Sequence, residues 1–195
     1  MTAKIKLNAA SGGGSFSLQA PSSSANTRVM TLPDTADGTI LTTTNPKTGN
    51  IIQIVQTTKS DTFSTTSTSF TDITGMSVSI TPSSTSNKIL ISADINYGGG
   101  NFNFYCNLLR GSTILNAPSS GNNPCTISLC GITNTTYQIL NSSIFFLDSP
   151  STTSSTTYKL QIDCQGDEFF LNRSKRDGSA DSVCSSTISA MEVAA

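Results

Sequence analysis

The chain has 195 residues, of which 35% are hydrophobic and 12% charged, and its net charge is −1. This length can bury a core, whereas a near-neutral charge argues against nucleic-acid binding, which needs clustered lysine and arginine. No apolar run is long enough to span a bilayer, so the sequence predicts no membrane insertion.

Residues 1–50 form a compositional block of short apolar islands separated by Gly, Ser, Pro and Asp-Gly turn signals. Each island has strand length and an alternating pattern, but none is large enough to bury itself within one chain. We therefore predict a strand-and-turn stalk in which several chains complete a shared core; the alternative is a disordered tail. The islands supply the candidate particle-anchor residues Ile5, Leu7, Phe16, Leu18 and Leu32.

Residues 51–195 alternate apolar and polar positions over about eight or nine short segments, as strands do. The clearest segments are "SVSI", which stops at Pro82, "NKILISADINY", "NFNFYCNLL" and "TTYKLQIDC". Helical periodicity is almost absent, and many short strands with Gly, Pro and Ser turns are typical of sandwiches and jelly rolls. The sequence thus predicts an all-β chain: a stalk over 1–50 and a jelly-roll-like β-sandwich head over 51–195.

The chain contains no histidine and five cysteines. Without histidine a Ser-His or Cys-His pair cannot form, and no cysteine spacing suits a zinc site. Cys106 and Cys164 fall on apolar faces of predicted strands, so we expect them in the core. A disulfide between Cys125 and Cys130 is an open alternative that synthesis in the cytoplasm disfavours. We predict no enzymatic activity and no cofactor or metal.

Several stretches resemble the C-terminal domain of bacteriophage tail-fibre and related virion proteins, especially those of marine phages. They are "TKSDTFSTTSTSFTDITGMSVSITPSSTSNKILISADI", "NLLRGST", "FLNRS" and "STISAMEV". The opening "KLNAASGGGSFSLQAPSSSANTRVMTLPDTADGTIL" is similar to stalk or attachment segments of the same proteins. The resemblance implies a homotrimeric head of the tumour-necrosis-factor and complement-head type.

The resemblance also implies where the three chains meet, because in similar jelly rolls the last strand lies close to the threefold axis. Its residues Ile188, Ala190, Met191 and Val193 are the candidate axis residues. The expected partners are two further copies of this chain and other virion proteins of the tail or capsid.

Three polar stretches are candidates for contact with a host-surface glycan, because loops on a rigid sandwich commonly carry recognition. They are "YGGGNFNFY", "SSGNNPC" and "NRSKRDGSAD", although each also has the composition of an ordinary connecting loop. The candidate contact residues are Tyr97, Asn101, Asn103, Tyr105, Asn122, Asn123, Asn172, Arg173, Lys175 and Arg176.

The function expected from these features is that of a short virion fibre, which attaches through residues 1–50 and presents its head to the host. Two alternatives remain open: a capsid decoration or head-fibre protein that binds the coat lattice, and a non-viral appendage or adhesin subunit. The segment after Lys4 lacks the apolar region of a secretory signal, so we expect synthesis in the host cytoplasm and localisation in the virion.

Overall fold

The computed structural model describes residues 4–8, 11–19, 23, 25, 46–100, 103–121, 123–131, 137–176 and 182–195. The chain forms two compact units, Met1–Ile40 and Leu41–Ala195. Within the described ranges every regular element is a β-strand, as the alternating sequence predicts. None of these residues belongs to a helix with the length and apolarity that a membrane span requires.

The described part of the first unit is a β-hairpin. Strand β1 (Lys4–Asn8) pairs antiparallel with β2 (Ser15–Gln19), with the backbone of Ile5 opposite Leu18. Gly12 and Gly13 in the connecting turn have φ angles of 84° and 70°, a left-handed conformation that glycine adopts without steric cost. The pairing confirms that the islands at 5–7 and 16–18 are strands.

The second unit is a sandwich of two antiparallel sheets. The first sheet contains β3 (Ile51–Lys59), β4 (Phe63–Thr65), β6 (Lys88–Gly99), β10 (Leu140–Asp148), β12 (Phe169–Leu171) and β13 (Ser186–Val193). The second contains β5 (Thr71–Ile80), β7 (Phe104–Arg110), β8 (Thr113–Leu115), β9 (Ile127–Leu129) and β11 (Thr156–Asp163).

Strand pairing in the sandwich is nested. The outermost pair is β3 with β13, followed by β5 with β11, β6 with β10, and β7 with the short strands β8 and β9. Such nesting is that of a long hairpin rolled into two sheets, which is the jelly-roll arrangement. The predicted jelly-roll-like sandwich is therefore confirmed for one copy of the chain.

The core lies between the sheets and is filled by the alternate residues that the sequence pattern marks as apolar. On β6, for example, Ile89, Ile91, Ala93 and Ile95 are all fully buried, while their neighbours face outward. Cys106 and Cys164 are also buried in this core, as predicted. All five cysteines are free.

The sandwich has two distinct ends, which we call the base and the tip. At the base, the chain enters β3: the Gly49 amide donates to the Ala194 carbonyl (2.8 Å), and the Ala194 amide donates to that of Asn50 (2.9 Å). The tip is the opposite end of the strands, where β3 and β6 finish and β10, β12 and β13 begin.

Candidate functional site

The outward face of the first sheet carries a row of apolar side chains. In the register of the four strands, Met191 on β13 lies opposite Ile54 on β3 and Leu90 on β6, and Leu90 lies opposite Leu147 on β10. Directly opposed residues share one face of a sheet, so these four side chains form a continuous line, which we call the apolar row.

The apolar row is open to solvent at its two ends. Ile54 is 59% exposed and Leu147 is 47% exposed. Phe145, two positions before Leu147 on the same face, is 67% exposed. Contiguous exposed apolar surface is typical of interaction sites, so the apolar row is a candidate contact face.

The four candidate axis residues divide between the two faces of β13. Ile188 and Ala190 are fully buried in the chain's own core, whereas Met191 and Val193 point outward and are half-buried. Of the four, only Met191 and Val193 therefore have side chains directed away from the chain's own core.

Two of the candidate receptor residues are buried rather than exposed. Tyr97 packs between the sheets, its ring stacked on Phe169 (6.0 Å between centroids) and edge-on to Phe104 (6.4 Å), and its hydroxyl donates to the Cys130 carbonyl. Burial raises the pKa of Tyr97. Tyr97 thus serves the core, and its side chain offers no surface to a receptor.

Asn172 is the second buried candidate, and it connects four segments. Its Nδ2 donates to the carbonyls of Lys59 (2.8 Å) and Asp61 (2.9 Å), and its Oδ1 accepts from the Ser186 hydroxyl (2.6 Å). Its backbone amide donates to the Asn96 carbonyl. Asn172 has a φ of 64°, a left-handed conformation that asparagine tolerates. The side chain therefore holds the tip together and is fully occupied within the chain.

The glycines of "YGGG" allow close packing at the tip. A Cβ at Gly99 would lie 2.3 Å from Cζ of Phe104, and one at Gly100 would lie 1.8 Å from an oxygen of Asp167. At Gly99 a Cβ would also lie 2.7 Å from the Glu168 carbonyl oxygen, so glycine is required there, whereas at Gly100 the Asp167 carboxylate would have to move aside. The stretch predicted as a recognition loop thus has a packing role at these two positions.

The other polar candidates occupy different parts of the surface. Asn123 is exposed, Tyr105 is half-buried, and Asn103 is exposed, its Oδ1 accepting from the Gly131 amide. Asn101 and Asn122 lie outside the described residues, as does the anchor candidate Leu32. Of the other anchor candidates, Ile5 and Leu7 are exposed on β1, and Phe16 and Leu18 belong to β2.

The three cationic candidates lie together at the tip. The Arg173 guanidinium stacks on the Phe170 ring (4.0 Å), and the Arg176 guanidinium lies over the Tyr137 ring (4.9 Å). Lys175 forms an ion pair with Glu168 (2.9 Å), which raises the pKa of the lysine. Sequence reasoning did not identify Tyr137, because only the fold brings it beside residue 176.

At the base, a buried carboxylate holds the loop between β5 and β6 against β13. Glu192 is fully buried. Its carboxylate accepts hydrogen bonds from the side-chain amides of Gln53 and Asn87 and from the backbone amide and hydroxyl of Ser83. Burial raises the pKa of Glu192, but the hydrogen bonds from Asn87, Gln53 and Ser83 outweigh it, so the pKa is lowered.

A second group of hydrogen bonds near the base, centred on Asp148, joins the two sheets. Arg110 Nη1 donates to both carboxylate oxygens of Asp148 (2.8 Å each), and the buried Tyr158 hydroxyl donates to Oδ2 of the same group (2.7 Å). No group of three or more metal-ligating side chains occurs within the described ranges.

Comparisons with known proteins give little further information. No protein-family model matches the chain, and no curated protein matches it. One similar solved structure is the tripod from the baseplate of bacteriophage Tuc2009, with 8% identity over 90% of this chain and 83% of that chain, and a TM-score of 0.20. A TM-score this low carries no argument about fold or function.

Proposed function

We propose that this chain is a structural protein of a bacteriophage virion: a short homotrimeric fibre, fixed to the particle by its N-terminal segment, whose head contacts a host-surface glycan. The sequence resemblance to virion fibre proteins supports this, and so does the jelly-roll-like head. The observation that carries it is the polarity of the head, with chain attachment and candidate recognition residues at opposite ends.

That polarity follows from the described contacts. The chain enters the sandwich at the base, where Gly49 and Asn50 are hydrogen-bonded to Ala194. The cluster at 173–176 lies at the tip. A head held at its base presents its tip outward, which is the arrangement that a host-contacting fibre requires.

The apolar row supports association of the head with further copies of itself. Burying exposed Ile54, Leu147 and Phe145 against identical chains would remove apolar surface from water, at about 25 cal/mol per Å². Met191 and Val193 lie on the last strand, where the resemblance places the threefold axis. The trimer and its contact face are thus parts of one proposal.

The N-terminal unit is the proposed attachment segment. Ile5 and Leu7 are exposed on the β1–β2 hairpin, so apolar surface remains for another virion protein or another copy of the stalk. Association would then stabilise a segment too thin to form a core alone.

The direct test is immunogold electron microscopy of intact particles with antibody against the 51–195 head. Label at the tail tip or collar is the expected result. Label spread over the capsid would replace the fibre with a decoration protein, and purified particles without label would overturn the virion proposal.

The oligomeric interface needs a separate test on the purified full chain. We expect a trimer by light scattering, and we expect Phe145→Gln combined with Ile54→Gln to shift it toward monomer. Ile114→Gln is the matched control, because Ile114 is a similarly exposed apolar residue (45%) on β8 of the other sheet. Equal dissociation by the control, or a wild-type monomer, would contradict the proposed face.

A further inference from the structure

The tip presents two arginines whose side chains are positioned by aromatic rings. Three of the four positions from 173 to 176 are cationic. Arg173 stacks on Phe170 of β12, and Arg176 stacks on Tyr137, which precedes β10. We call the two arginines, their two ring partners and Ser174 the tip cluster: Phe170, Arg173, Ser174, Arg176 and Tyr137.

The backbone under the tip cluster is fixed to the sheet. A Cβ at Gly98 would lie 2.6 Å from the Arg173 carbonyl and 2.9 Å from Cα of Ser174, so this segment packs directly on β6. Arg173 also forms an isolated β-bridge with Val183. Ring stacking on a fixed backbone restricts the arginine side chains before any ligand arrives, which reduces the entropy lost on binding.

Stacking on a ring face leaves the edges of a guanidinium suited to anions. A guanidinium carries five N–H donors in one plane, and this fork matches carboxylate and phosphate groups in bidentate geometry. Arg173 donates to the Ser174 carbonyl (3.1 Å), and both arginines make other interactions. Five donors allow such contacts and an oxyanion together.

Ser174 gives a second, independent sign of a missing partner. The residue is buried, and its hydroxyl oxygen has no hydrogen-bond partner in the described structure. An unsatisfied buried hydroxyl costs free energy, and native proteins rarely leave one without a reason.

The exposed Tyr137 points to the class of ligand. Its ring is 65% exposed, and an exposed aromatic ring beside hydrogen-bond donors offers both an apolar surface and polar contacts, which suit a sugar ring. A polyanion such as nucleic acid would need a much larger basic surface, and Lys175 is already paired with Glu168. From these observations we infer that the tip cluster binds an acidic saccharide, one bearing carboxylate or phosphate groups.

This inference rests on the proposed contact of the tip with the host surface, and it is tested on the purified full chain without particles. The probes are oligogalacturonate with its methyl ester, and phosphomannan with neutral mannan, measured by isothermal titration calorimetry. We expect one acidic probe to bind at least about tenfold more tightly than its neutral counterpart, and added salt to weaken that binding. The acidic probe that binds identifies the carboxylate or the phosphate as the recognised group.

Variants assign the binding to the tip cluster. Arg176→Gln and Tyr137→Ala should each weaken acidic binding several-fold, whereas Tyr137→Phe should retain it. Lys88→Gln is the matched control, since it removes one exposed charge at the base. Melting temperatures of all variants check that the fold is kept.

Three results would overturn the inference: no binding of either acidic probe, equal binding of acidic and neutral probes, or equal loss in Lys88→Gln. Each leaves the proposed fibre function standing, because particle labelling tests that function separately. Conversely, acidic binding by a chain that is absent from particles would uphold the tip cluster and reject the fibre.

Discussion

The sharpest prediction concerns Glu192, a buried carboxylate with no cation among its hydrogen-bond partners. Its Oε1 accepts from the Ser83 amide (2.6 Å), the Ser83 hydroxyl (2.7 Å) and Asn87 Nδ2 (2.6 Å), and its Oε2 accepts from Gln53 Nε2 (2.6 Å). Four donors thus converge on one ionised group. Hydrogen bonds to ionised groups contribute about 1.5–3 kcal/mol each, roughly twice the neutral value.

The perturbation is Glu192→Gln, which keeps the shape and replaces one oxygen by an amide group. If the remaining oxygen stays with Ser83 and Asn87, the new NH₂ faces the donating Nε2 of Gln53, so one bond is lost and three become neutral. Gln53 retains the Thr81 carbonyl (2.7 Å), and removing the buried charge recovers part of the loss. We expect the free energy of unfolding to fall by about 2–3 kcal/mol.

The assay is thermal or urea unfolding of the full chain at fixed protein concentration, since association contributes to stability. A loss of 2–3 kcal/mol corresponds to a melting temperature lower by about 4–12 °C for a chain of this size. The control is Glu168→Gln, an exposed glutamate in a surface ion pair, which should change stability by less than about 1 kcal/mol.

The pH dependence of the same variant provides the refutation. Because the folded pKa of Glu192 is lowered, its stabilisation is complete above the unfolded pKa, about 4.3, and is lost as pH falls through the folded value. The advantage of wild type over Glu192→Gln should therefore be largest near neutral pH and shrink below about pH 4. Equal stability at pH 7, or a difference that does not change with pH, would refute the reasoning.

Two further predictions test the packing at Gly99 and the hydrogen bond between Tyr158 and Asp148. Gly99→Ala should reduce the free energy of unfolding by about 1–3 kcal/mol in urea, because its Cβ would overlap the Phe104 ring. The control Gly14→Ala places no atom within 4 Å of the new Cβ and should be neutral. Equal effects of the two substitutions would contradict the clash. Tyr158→Phe removes the buried hydrogen bond to Asp148 and should cost about 1–2 kcal/mol in thermal unfolding. An unchanged melting temperature would show that this bond contributes nothing net.

The sheets were predictable from sequence because burial on one face imposes a period of two. On β6 and β11 every second residue is apolar, so the alternation itself assigns the inward faces. The nested pairing was not readable from residues alone, since it depends on contacts between segments as distant as β3 and β13. The alternation and the turn spacing favoured a jelly-roll-like sandwich, but they did not identify the partner of each strand.

The candidate site was less predictable, because polarity does not measure exposure. Asn172 lies in a stretch as hydrophilic as any surface loop, yet it is buried, and the cost of burying its amide group is offset by hydrogen bonds with two other segments, at Lys59 and Asp61 and at Ser186. Tyr97 was also predicted to be exposed but is buried. The three glycines after it indicate a turn, but the absence of their side chains lets Phe104 and Asp167 approach the backbone. The burial of both residues depends on partners that are distant in sequence, which the local composition cannot indicate.

The two sheets differ more in the polarity of their outward-facing side chains than in that of their inward-facing ones. On β5 and β11 of the second sheet these positions are polar, as at Ser77, Ser79 and Lys159, although Ile114 on β8 of the same sheet is an exposed apolar residue. On β10 of the first sheet the alternation breaks into "IFFL", which places Phe145 and Leu147 on the outward face. A strand needs only one apolar face to join its own core, so the second apolar face of β10 supports the proposed contact between copies. The break in alternation is the sequence feature that favours the first sheet for that contact.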